Sequence, residues 1–267
     1  MAILSISREY RSGGEEIGRS VAEILGYDFV DKERLIHDIH SAGEKWENLS
    51  REVDEVAPSL WERFDWQYRG YVALVEAHIL EYALRNRVVL IGRGSHILLR
   101  GVPYALKVRI TAPLETRIEH VMVKDRVDRR TAQVLIEKTD RARGGYIKSN
   151  YGEDWGDPQF YDLVFNTGLQ SYEQVAKLLI PALQELDRKF TPEAERRLRE
   201  QAVAARVKAR LVIDPKVFVP TLEVLHDGTA VVLRGVVHTP KEYHYLEETA
   251  CRFAADLPVR NELHYRG

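Results

Sequence analysis

The residues best suited to chemistry in this chain are arginines and carboxylates that stand where short apolar runs end. The first such place follows Ile3-Leu4-Ser5-Ile6, which reads as a buried strand. Arg8, Arg11 and the pair Gly13-Gly14 come next, ahead of a helical pattern with Ile17, Val21 and Ile24-Leu25 on one face. A strand, a glycine turn and a helix N-terminus form an anion site, because first-turn N–H groups lack partners and the helix dipole favours negative charge. Glycine also lets the backbone curl around a phosphate without a Cβ in the way. The candidates for phosphate contact are Ser12, Gly13, Gly14, Glu15 and Glu16. Set on the pattern G-x-x-x-x-G-K-[ST], the chain has Arg8 for the first glycine and Gly13 for the second. Gly14 then stands for the lysine and Glu15 for the hydroxyl residue. Ser12-x-x-Glu15 also satisfies a capping box, so an ordinary strand-to-helix turn is the competing reading.

Three further groups fall at comparable places. Asp31 follows the short run Tyr27-Asp28-Phe29-Val30, where it suits either contact with substrate or magnesium, or a plain N-cap. Arg93 lies between Gly92 and Gly94 at the end of Arg87-Val88-Val89-Leu90-Ile91, a position fitted to a bidentate grip on phosphate. Arg141 and Arg143 stand just before a flexible glycine pair, Gly144-Gly145, as in a lid that closes over phosphates; the alternative is a solvated helix face, since acids are interspersed.

Composition narrows the function classes. The 267 residues carry 39 basic and 41 acidic side chains, a net charge of −2, which argues against bulk binding of DNA or RNA. One cysteine, Cys251, excludes an internal disulfide and a cysteine-based metal cluster and fits a reducing compartment. No apolar run approaches the ~20 residues of a membrane span, and no signal pattern opens the chain, so a cytoplasmic location is expected.

The elements that must hold these groups alternate. Strands are expected at 3–6, 27–31, 87–91, 105–110 and 161–167, with helices between them, including one from Leu114 and one over Tyr172–Leu186. That order predicts a three-layer αβα sandwich around a parallel sheet. Residues 32–65 read as a polar helical flap over the strand ends, anchored by Trp61, Phe64, Trp66 and Tyr68. A helix follows with Val72, Val75, Ile79 and Ala83 on one stripe.

With these pieces placed, residues 1–188 resemble the cytidylate kinase-like family of P-loop nucleoside-monophosphate kinases. The resemblance rests on Ile6-Ser7-Arg8-Glu9-Tyr10, Ser12-Gly13-Gly14, Glu16-Ile17-Gly18, Asp31-Lys32-Glu33, Ile91-Gly92-Arg93-Gly94 and Ala112-Pro113-Leu114-Glu115-x-Arg117-Ile118. It continues through Lys138-x-Asp140-x-x-Arg143, Asp154-Trp155-Gly156-Asp157-Pro158, Tyr161-Asp162-Leu163 and Asn166-Thr167. It implies phosphoryl transfer from ATP, with Mg2+, to a nucleoside monophosphate, CMP or dCMP first. It implies Arg8, Arg11, Arg93, Arg141 and Arg143 as catalytic groups and Asp31, Arg93 and Asp140 as substrate contacts. The family usually reads Glu-Tyr-Gly-Ser-Gly-Gly followed by a basic residue; here Arg11 and Glu15 take the third and last places. Gly94 also follows Arg93 where well-characterised cytidylate kinases carry an aspartate. The rival reading is a degenerate nucleotide sensor that signals through its C-terminal part.

That part changes composition from about residue 191. The order αββαβ over 200–267, with Asp227-Gly228 and Leu233-Arg234-Gly235-Val236-Val237, resembles a BON domain. The resemblance implies contact with a membrane surface or small ligand, and a homodimer or a generic α+β module are the alternatives. The expected division is 1–188 kinase-like domain, 189–202 linker helix and 203–267 BON-like domain.

Overall fold

The computed structural model describes residues 1–39, 43, 46 and 65–266. Most of the expected flap, with Trp61 and Phe64, lies outside the described residues. The described chain separates into two compact units, one built from residues 1–37 and 85–190, the other including 65–84 and 191–266.

The first unit is a five-stranded parallel sheet in the order β2-β3-β1-β4-β5, flanked by helices as an αβα sandwich. Its strands are β1 (Ile3–Arg8), β2 (Asp28–Val30), β3 (Val88–Ile91), β4 (Ala105–Thr111) and β5 (Leu163–Asn166). Its helices are α1 (Gly14–Leu25), α2 (Lys32–Ile39), α4 (Ser95–Leu98), α5 (Leu114–Asp125), α6 (Arg129–Tyr151) and α7 (Tyr172–Asp187), α3 being the helix Trp66–Leu84 described below. The pleat of β1 sorts its side chains. Leu4 and Ile6 join Ile17, Val21, Val175 and Leu179 in the core under α1 and α7. Ser5 and Ser7 face the other way, where Ser5 Oγ meets Ser95 Oγ at 2.7 Å. Gly18 lets α1 lie close on the sheet, since a Cβ there would come within 2.8 Å of Ile91.

The glycine pair 144–145 stands inside the 23-residue helix α6, which corrects the flexibility expected of it. Apolar contacts explain this: Ala132 and Ile136 of α6 pack on Ile118 and Val121 of α5, with Tyr10 against them, and Tyr146 and Ile147 continue the buried side beyond the glycines.

The second unit has strands β6 (Glu223–His226), β7 (Val231–Val237) and β8 (Val259–Tyr265) and helices α3 (Trp66–Leu84), α8 (Pro192–Ile213) and α9 (Pro240–Phe253). β6 pairs antiparallel and β8 parallel with β7, giving the order β6-β7-β8. Its core holds Val207, Leu211, Val231, Leu233, Leu246 and Leu263. Thr191 caps α8 through Ala194 N–H at 3.1 Å, with Pro192 in the first turn. α8 is one continuous helix, and α3 packs along it with Lys208 Nζ 2.9 Å from Glu76 Oε2. The stripe expected on α3 is only part of its buried surface. Tyr68, Tyr71, Leu74, Leu80 and Tyr82 are buried too, so the helix is enclosed on most sides. Among the described residues no helix is long and apolar enough to cross a membrane.

Candidate functional site

At the carboxyl ends of β1, β2 and β3 lies a cavity of about 330 Å³, built wholly from the first unit. Arg8, Lys32, Arg93, Lys138 and Arg143 bring positive charge to its wall, against Glu15, Asp31 and Glu33. Open α/β sheets bind ligands at this edge, and the surplus of cations suits an anion.

Each arginine is placed by a different element. Arg8 ends β1. Arg93 sits in a run of three left-handed residues, Gly92 (φ 73°), Arg93 (φ 54°) and Gly94 (φ 76°), and is 4% exposed. Only the flanking glycines adopt that conformation freely, and a non-glycine held there costs about 1–3 kcal/mol, a strain that clusters at functional sites. Tyr151 encloses the turn, since a Cβ on Gly94 would stand 2.5 Å from its ring. Arg143 donates from Nη1 to Arg8 O at 3.0 Å. Leu135, Lys138, Thr139, Ala142 and Arg143 recur at helical spacing and form the α6 wall. That periodicity was available in the sequence, whereas the wall's opposite member, Lys32 on α2, had no signal beyond its place in a motif.

The loop before α1 departs from expectation in three ways. Gly13 is the N-cap, at φ 84°, and no side chain caps the helix. The Ser12–Glu15 capping box is therefore absent. Ser12 is fully buried, its Oγ 2.9 Å from Glu9 O and 3.1 Å from Ile110 O, and its own N–H donates to Glu9 O at 3.2 Å. It braces the loop from below, so the amides left for an anion begin at Gly13. Arg11 is turned to Asp125, with Nη2 2.6 Å from Oδ1, and does not line the cavity.

Of the remaining candidates, Glu15 lines the cavity and lies 3.6 Å from Arg19. Glu16 pairs with Lys124 at 3.7 Å, outside the cavity lining. Asp31 is the expected cap, Oδ1 accepting from Arg34 N–H at 3.0 Å at the start of α2, and it also lines the cavity. Arg141 is exposed and away from the lining. Asp140 accepts from Tyr10 N–H at 2.7 Å and from Arg117, and it too is outside the lining. These contacts are tertiary, so the spacing of the motif could not reveal them.

Gly14 explains the missing lysine. A Cβ at this position would meet Arg8 Cβ at 2.5 Å, so Arg8 occupies the space that a side chain at 14 would need. Behind the cavity, Trp155 Nε1 donates to Ser7 Oγ at 2.8 Å, and the Arg109 guanidinium lies 4.2 Å over the Trp155 ring. Burial pushes the Tyr161 phenol upward, which keeps it a donor to Trp155 O at 2.9 Å. The Asp154–Pro158 segment thus closes the end of β1.

Carboxylate oxygens are the hard donors that magnesium takes, usually one or two beside phosphate oxygens. Asp31 and Glu15 bring such oxygens to the cavity wall, so the residues fit this ion. Among the described residues no group of three or more His, Cys, Asp or Glu could hold a metal alone.

The cytidylate kinase-like family model matches residues 3–169. A cytidylate kinase of Ignicoccus hospitalis is 27% identical over 183 residues, covering 67% of this chain and 97% of that protein. A cytidylate kinase of Methanopyrus kandleri is 27% identical over 177 residues, 66% of this chain and 89% of its own length. A uronate isomerase of Corynebacterium glutamicum is 34% identical over 98 residues, but the chain spans only 19% of that protein's length. Among solved structures, an uncharacterized protein from Eubacterium ventriosum superposes with a TM-score of 0.55 at 20% identity, over 69% of this chain and 99% of that one, a likeness of fold.

Proposed function

The chain belongs to the cytidylate kinase-like family, and from that premise we propose that it transfers a phosphoryl group from ATP to a nucleoside monophosphate, CMP or dCMP first. The observation that carries the reading is the convergence of Arg8, Arg93 and Arg143, from three elements, on one cavity beside the N-terminus of α1. Phosphoryl transfer asks little covalent chemistry of a protein; it asks for positioning and for positive charge around the transferred group. The amides from Gly13 onward hold the donor phosphates, and Arg8 supplies the charge that a lysine at 14 would have brought. Arg93, fixed by its strained turn, holds the acceptor phosphate. Arg143 and Lys138 close the opposite side from α6. Asp31 and Glu15 would hold magnesium, which when bound neutralises phosphate charge.

A second reading, binding without turnover, is favoured by one observation: Glu15 puts a carboxylate on the wall beside the helix N-terminus. The αββαβ order of residues 192–265 supports a BON-like role there, with a small ligand or membrane surface as its partner. Titrations of ATP and of a monophosphate panel test the primary reading. Arg93→Ala should weaken monophosphate binding by about 1.5–3 kcal/mol, the range for a charged hydrogen bond, with CMP or dCMP most affected. Equal affinity in the variant would remove Arg93 from the acceptor site.

A further inference from the structure

We infer that Asp140 is a positioning residue of the phosphate-binding loop, latching α6 to it, and not a group that touches the acceptor; its bearing on catalysis rests on the phosphoryl-transfer reading. Both carboxylate oxygens are engaged on the loop side. Oδ1 accepts from Tyr10 N–H at 2.7 Å, and Oδ2 accepts from Arg117. Three residues further along α6, on the same face, Arg143 donates to Arg8 O at 3.0 Å. The helix therefore grips the main chain on both sides of Glu9, at one carbonyl and one amide.

Arg117 of α5 extends the grip. Its Nη1 lies 3.5 Å from Tyr10 O, and its Nε lies 3.7 Å from Glu9 Oε2. Glu9 in turn accepts from Ala112 N–H at 3.1 Å, at the end of β4. Asp140 and Arg117 side chains are 20% and 10% exposed, so these contacts are shielded from water. Swinging α6 away as a rigid lid would strip Tyr10 N–H of its acceptor and leave a shielded carboxylate facing nothing, both costly. The loop and the Leu135–Arg143 wall consequently move as one body, and the donor side of the site is preorganised before any nucleotide arrives.

The test uses the full chain with Asp140→Ala and Asp140→Asn. In free protein, hydrogen exchange at the Tyr10 amide should quicken about tenfold or more in Asp140→Ala and stay near the native rate in Asp140→Asn, whose carbonyl still accepts that N–H. Magnesium-ATP should bind about tenfold more weakly to Asp140→Ala, while CMP changes by less than about threefold, and Asp140→Asn should recover most of the loss. Native exchange at Tyr10 in Asp140→Ala would overturn the latch. So would a loss confined to CMP that asparagine does not rescue. If wild-type protein binds neither nucleotide, the phosphoryl-transfer reading falls, and the exchange measurement alone still decides the latch. If Asp140→Ala does not fold, Arg117→Lys, which loosens the partner that holds Asp140, gives the readout in its place: raised Tyr10 exchange in Arg117→Lys with a near-native rate in Asp140→Asn supports the latch, and any other pattern refutes it.

Discussion

Gly14 has no room for a side chain, because its Cβ would meet the unyielding first carbon of Arg8 at 2.5 Å. Gly14→Ala should lower stability by about 1–3 kcal/mol, as overpacking does, and weaken ATP binding as the loop shifts; denaturant unfolding and a titration check both. Glu15 makes the opposite kind of prediction. Its side chain is 52% exposed and supports only a loose pair with Arg19, so Glu15→Gln should cost under about 1 kcal/mol, mostly the charge–dipole term. Metal-free ATP should bind about two- to tenfold more tightly, since a like charge beside the phosphates is gone. Weaker metal-free binding would mean that Glu15 assists the anion directly. At this scale the types of the site residues were legible, and their orientation was not. Arg8, Arg11 and Arg143 look equivalent as letters. Only packing turns Arg11 to Asp125 while Arg8 and Arg143 reach the cavity wall.

Elements were legible where a local pattern governs them. The β6–β7 hairpin follows from Asp227-Gly228, with Gly228 at φ 96° and His226 opposite Val231. Asp227 shows why the turn is firm. Its carboxylate is held well below the usual range, first by the Thr229 hydroxyl and amide, then by Ala230 N–H and the Arg260 guanidinium. A depressed folded value stabilises the fold above the unfolded carboxylate range, about pH 4, and that contribution is lost as pH falls below it. Wild-type protein should therefore lose melting temperature more steeply below about pH 4 than Asp227→Asn, and the variant should be the less stable at neutral pH. Parallel curves would show the turn carboxylate to be inconsequential. Gly144-Gly145 was not legible as helix at this scale, because a glycine pair looks like a break. The buried side of α6, Ala132, Ile136, Tyr146 and Ile147, overrides two unfavourable residues in a 23-residue helix.

For the whole molecule, the alternation of strands and helices was enough to give the parallel sandwich, because few topologies satisfy it. The partnership of α3 with α8 was not, since residues 66–84 and 192–213 are far apart in sequence and neither pattern names the other. A separately produced 191–266 segment should accordingly be less stable than the same region in the full chain and should bind a hydrophobic dye, because the α3 face against α8 is left behind. A native-like melting temperature in that segment would argue that α3 adds nothing. The most direct test of the central claim follows the phosphoryl group itself. Full-length protein is mixed with magnesium, ATP labelled at the γ-phosphate, and CMP or dCMP, and the products are separated. Label should appear in the corresponding diphosphate, and Arg93→Ala should suppress its formation. Label remaining in ATP, despite measurable binding of both nucleotides, would contradict a transferase and leave a nucleotide-binding protein without turnover.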